Sequence, residues 1–116
     1  MSVVYSICML VFGFDANEEN EIVLAVEDLG FDRMSGDDND IVMASNGKME
    51  VGPSTAAFAE AIAHSVWLAN HCFCKVQISI VSYVSCNPVD RERFYFHEDE
   101  YAYFLAEQER IEELLG

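Results

Sequence analysis

The chain has 116 residues, 52% of them hydrophobic, and carries a formal charge of −15 from 21 acidic and 6 basic residues. That length suits one core, and the apolar content excludes a disordered chain. Bases are too scarce to displace the counterions of nucleic acid or to hold an anionic bilayer, so neither is expected as a direct partner.

Val3 to Phe14 is apolar on both parities, with β-branched and aromatic residues that favour a buried central strand. Its twelve residues are too few for a span of roughly 20, and no basic region precedes them. A cytoplasmic protein is therefore expected, with Cys8, Cys72, Cys74 and Cys86 reduced.

Asp15 or Asn17 is positioned to cap a helix whose first turn carries Glu18, Glu19 and Glu21, and Ile22, Val23, Val26 and Leu29 form its apolar stripe. Gly30 marks its end, with Phe31 folding back on the last turn. Asp32 to Asp40 reads as an acidic loop. Asp37, Asp38, Asn39 and Asp40 lack the glycine and closing glutamate of a calcium loop, so solvation is the expected role.

Asn46-Gly47, between Ile41–Ser45 and Lys48–Val51, predicts a type I′ hairpin. Ser54 or Thr55 then caps an alanine-rich helix that runs to about Asn70. From Cys74 to Val84, Cys74, Val76, Ile78, Ile80 and Val84 share one parity, while Lys75, Gln77 and Ser79 share the other. This is a strand with one buried and one wetter face. After the turn signal at Ser85 to Pro88, Arg93 to Phe96 reads as a short antiparallel strand. Glu98, Asp99 and Glu100 open a last helix with Tyr101, Phe104, Leu105, Ile111, Leu114 and Leu115 on or near one stripe.

This order predicts a single α+β domain. Its expected architecture is a ferredoxin-like (split βαβ) antiparallel sheet with helices on one face, extended by a C-terminal strand and helix.

No nucleophile elbow, phosphate loop or redox Cys-x-x-Cys is present, so no catalytic residues, no enzyme activity and no cofactor are expected. His71, Cys72, Cys74 and Cys86 form the best metal candidate. Their spacing does not match a zinc knuckle, and Cys74 lies on the buried parity, so zinc is kept as a third reading.

The charge is distributed unevenly: Asp15 to Asp40 sums to −9, Ile41 to Cys86 to zero and Asn87 to Gly116 to −6. Such blocks suit carboxylates that imitate phosphates in the groove of a basic protein. Glu18, Glu19, Glu21, Asp37, Asp38 and Asp40 are one expected partner-binding surface. Glu98, Asp99, Glu100, Tyr103, Glu109, Glu112 and Glu113 are the other. In charge and size the chain resembles the small acidic proteins of phages and mobile elements that block host nucleases, including anti-restriction and anti-CRISPR proteins. That resemblance implies a non-enzymatic inhibitor of a nucleic-acid-processing protein. The alternative is a self-associating structural or regulatory domain, a homodimer among its forms, whose acidity confers only solubility, a halophile's surface being one version of it.

Overall fold

A computed structural model describes residues 3–34, 40–47 and 51–115. The strands are β1 (Val4–Phe12), β2 (Phe31–Arg33), β3 (Asp40–Ser45), β4 (Lys75–Val84) and β5 (Asn87–Phe96). The helices are α1 (Glu19–Glu27), α2 (Thr55–Asn70) and α3 (Glu98–Leu115), and a 3-10 turn, Ala16–Glu18, leads into α1. The five strands form one sheet in the order β2-β3-β1-β4-β5, with every neighbouring pair antiparallel. The result is an α+β fold.

Alternation decides which face is dry. Ile7, Met9 and Val11 of β1, Ile41 and Met43 of β3, and Val76, Ile78 and Ile80 of β4 are all buried. They meet Ile22 and Val26 of α1 and Ala59, Ile62, Ala63, Val66 and Trp67 of α2 in one apolar cluster. The α2 set recurs every three or four residues, so one stripe of the helix lies on the sheet. Ser82 stands on the buried parity where the strand pattern would place an apolar residue.

The helix ends follow local chemistry. Asp15 accepts a hydrogen bond from the Asn17 N–H, and Ser54 accepts one from the Ala57 N–H. Gly30 has φ of 101°, the left-handed conformation that ends α1 without a steric cost. At the end of α2 the same conformation falls to His71, with φ of 63°, whose N–H donates to the Trp67 carbonyl. A side chain there is strained by roughly 1 kcal/mol or more. His71→Gly is accordingly expected to stabilise the protein by about 0.5–1 kcal/mol, read as a higher urea midpoint at unchanged slope.

The strands that fill the sheet differ from the expected ones because the second strand is Phe31–Arg33 and the third is Asp40–Ser45. β3 is paired with β1 on one edge and with β2 on the other, and Val51 is not in a strand. Residues 48–50 of the expected partner lie outside the described residues. Local bonds explain the departure. The Ser45 hydroxyl accepts the Ile7 N–H at 3.0 Å and donates to the Gly47 carbonyl at 3.0 Å, closing the β1–β3 ladder. The Asn46 N–H donates to the Gly30 carbonyl at 3.0 Å, which extends the β2–β3 pairing beyond Phe31 and Ser45. Part of the expected acidic loop is thereby strand: Asp32 pairs with Ala44, and Asp40 with Phe12.

The last strand is also longer than the expected Arg93–Phe96. β4 and β5 are joined by a two-residue turn at Ser85 and Cys86, with φ of 51° and 70°, the type I′ geometry whose twist matches a hairpin. Pro88 is accommodated because β5 is an edge strand, and the register shifts between Ser82 and Tyr83. β5 is tied back to α2 by the Thr55 hydroxyl, which donates to the Glu92 carboxylate at 2.9 and 3.0 Å.

Candidate functional site

Three surfaces carry chemistry: the docking point of α3, the outer half of α3, and the sheet face opposite the helices. Trp67 organises the first. Its ring lies 5.2 to 6.4 Å, centroid to centroid, from Phe73, Phe96, Tyr101 and Phe104, and its Nε1–H donates to the Cys74 carbonyl at 2.8 Å. These contacts hold α3 on the same side of the sheet as α2. Sequence periodicity alone, in which Trp67 continues the stripe of Ala59, Ile62, Ala63 and Val66, was the signal that could have identified this anchor.

His64 borders the same cluster, 4.5 Å from the Phe104 ring centroid and 3.7 Å from a Glu60 carboxylate oxygen. Burial lowers its pKa, and Glu60 partly opposes the shift. A folded pKa below the unfolded value of 6.5 means that the unfolded chain binds the proton more readily. This contribution to stability is therefore complete above pH 6.5 and is lost as pH falls through the folded pKa. The urea midpoint of the wild type is expected to drop more than that of His64→Gln between pH 7.5 and about 5, the range in which histidine changes charge.

Cys86 is not brought to the other candidates, His71, Cys72 and Cys74. Cys74 is buried at the start of the β4 region, and Cys86 sits in the turn at its far end, about 30 Å away at roughly 3.3 Å per residue. His71 is occupied as the left-handed end of α2. Asn70 is held in place by three bonds: it accepts the Asp15 N–H and donates to the Cys72 carbonyl and to the Cys72 sulfur. Burial, together with the neighbouring Cys72, pushes the Cys74 thiol up to about 12, so it is protonated at neutral pH and a poor nucleophile. Among the described residues, no three His, Cys, Asp or Glu side chains are grouped as metal ligands.

The acidic residues fall into separate places. Glu18, Glu19 and Glu21 lie on the 3-10 turn and first turn of α1, where Glu19 pairs with Arg33 at 3.2 Å. Asp40 is instead on β3, and Asp37 and Asp38 lie outside the described residues. Glu98, Asp99, Glu100, Tyr103, Glu109, Glu112 and Glu113 all lie on α3. Glu100 accepts the His97 N–H at 2.9 Å, and this bond to the charged form lowers its pKa. It closes the first turn of the helix as a capping group.

Beyond Phe104, α3 leaves the core. Leu114 and Leu115 are 80% and 84% exposed, and Ile111 is exposed beside them. Arg110 pairs with Glu107 at 2.9 Å. Glu112 and Glu113 stand in the last turn, which contains no base, although the helix dipole disfavours negative charge there.

The sheet face opposite the helices has the opposite character. Lys75, Arg91 and Arg93 all point to it, as their pairing with Phe12, Val81 and Ser79 requires. Around them are half-buried Leu10, Phe12, Val42 and Val81, none of which belongs to the core cluster. A depression of about 380 Å³ lies among Cys8, Leu10, Val42, Gln77, Arg93 and Tyr95. The bases of the described residues are thus segregated: Arg33 and Arg110 are paired on the helical side, and the remaining three lie on the sheet face.

No described helix is long and apolar enough to cross a membrane. Comparison with protein families, curated proteins and solved structures finds no match.

Proposed function

We propose that the chain is a non-enzymatic binding protein that masks a basic protein surface with the carboxylates of its helices, above all those of α3. The observation that carries this reading is the outer half of α3, where Glu109, Glu112 and Glu113 accompany exposed Ile111, Leu114 and Leu115. Solubility alone needs no exposed leucines, and folding gains nothing from anions placed against the dipole. A protein partner with bases around an apolar patch uses both features.

The carboxylates of α3 form two groups, Glu98 to Glu100 and Glu107 to Glu113, with centres about 17 Å apart, a separation comparable to about five phosphates of one nucleic-acid strand. The partner class is therefore a nucleic-acid-processing protein, and the nuclease-blocking role implied by the resemblance in charge and size belongs to this proposal. So does a cytoplasmic setting. The ferredoxin-like connectivity is likewise proposed, supported by two βαβ passages that each skip one strand: β1 to β2 around β3, and β3 to β4 around β1.

The experiment is capture of partners from a lysate at low salt, followed by a salt gradient and by competition with duplex DNA. The expected result is a basic nucleic-acid-binding protein released by either treatment. Recovery only of partners that resist salt and ignore DNA would contradict the mimicry.

A further inference from the structure

Two cross-strand rows of the open sheet face are electrically antisymmetric about its central strand, and Arg91 lies on the same face outside them. The cross-strand register sets out one row as Arg93, Ser79, Cys8, Ala44 and Asp32, from β5 through β4, β1 and β3 to β2. A second row runs Lys75, Phe12 and Asp40 across β4, β1 and β3. In both rows a base lies on the β4–β5 side, an acid at the matching distance on the β2–β3 side, and a residue of β1 in the middle. The first row is centred on Cys8, which is also the midpoint of β1 and is exposed.

We propose that a second copy of this chain covers this face, in an isologous dimer whose two-fold axis runs roughly along β1. Such an axis reverses the order of strands and preserves position along them. Arg93 of each copy then opposes Asp32 of the other, and Lys75 opposes Asp40. The alternative two-fold axis, perpendicular to the strands, would place Arg93 on Arg93 and is disfavoured by like charge.

The middle of the face suits closure. Leu10, Phe12, Val42 and Val81 are apolar and half-buried on a surface that no described helix covers. Ser79, Cys8 and Ala44 are small enough for the two sheets to approach, and aligned packing at about −30° leaves a two-fold axis close to the strand direction. Five strands at roughly 4.8 Å spacing and about 25 Å of strand length offer on the order of 600 Å² per copy. The pair buries about 1,200 Å², the lower bound of stable specific interfaces. This inference is independent of the partner proposed for α3. The dimer leaves both acidic helical layers facing outward, and a monomer would leave that proposal standing.

Sedimentation equilibrium on the whole chain, with a charge swap, tests it. The wild type is expected to be dimeric at micromolar concentration. Asp32→Arg or Arg93→Asp alone should weaken the dimer by on the order of tenfold or more, and the two together should restore it, since each new arginine again meets an aspartate. The Lys75→Asp and Asp40→Lys pair provides a second swap in a different row, should one set perturb folding. In a chain in which Cys72 and Cys86 are serine, Cys8, exposed in the single copy, should react slowly with a maleimide at dimeric concentration and quickly after dilution to monomer. A monomeric wild type, or a dimer that neither swap weakens and rescues and in which Cys8 reacts as fast as in the monomer, would overturn the proposal.

Discussion

Trp67→Ala is expected to lower the unfolding free energy by about 3–5 kcal/mol and to detach α3 from the rest of the fold. The ring is 1% exposed, so its removal costs both apolar transfer and a cavity. The Cys74 carbonyl also loses the donor that satisfies it, at the end of α2 where β4 begins. Phe104, the one buried residue of α3, and half-buried Tyr101 both rest on this ring. Domains of this size are stable by only about 5–15 kcal/mol, so a loss of that order is a large share. Trp67→Phe should be milder, because it keeps an aromatic ring and loses the hydrogen bond. Urea unfolding gives the magnitude, and hydrogen exchange locates it: amides of α3 are expected to lose protection before those of β1 and β4. Unchanged protection across α3 would show that another contact holds the helix.

The second large effect separates binding from folding. Replacing Glu109, Glu112 and Glu113 together with glutamine is expected to weaken the complex with a basic partner by about 10–100-fold, at roughly 0.5–1 kcal/mol for each charge facing an opposed surface. The salt dependence of binding should become shallower by a comparable number of charges. Stability should stay the same or rise by a few tenths of a kcal/mol, because Glu112 and Glu113 oppose the dipole of the last turn. A mere solvation role predicts reduced solubility without loss of a partner. Titration calorimetry at two salt concentrations distinguishes the outcomes.

Much of the dry face was legible in the sequence. Period-two alternation marked β4 down to its buried residues, and Ser54, Gly30 and the acidic opening of α3 marked helix ends through their local chemistry. β2 was not legible, since three residues carry no period and two of them, Asp32 and Arg33, are charged. Around Asn46-Gly47 the positive φ at Gly47 fits the turn residue, but the pattern did not reveal that β3 pairs with β1 and β2. β5 was shortened because its polar stretch Asp90 to Arg93 is patterned by partners rather than hydrophobicity: Glu92 reaches Thr55, while Arg91 and Arg93 face away from the core.

The acidic clusters were visible as composition, but their placement was not. Asp40 and Glu18 belong to one block in sequence, yet the sheet puts Asp40 on the open face and Glu18 on the approach to α1. The segregation of the bases was equally hidden. Lys75 and Arg93 are eighteen positions apart, and only the β4–β5 register puts both on one face.

The most direct test of the central claim is a parallel salt-gradient capture with the wild-type chain and the Glu109, Glu112 and Glu113 to glutamine variant as baits, each repeated with duplex DNA as competitor. A basic nucleic-acid-binding protein held by the wild type, displaced by DNA and released at lower salt from the variant is the predicted result. The same proteins retained by both baits, at the same salt and with DNA present, would contradict it.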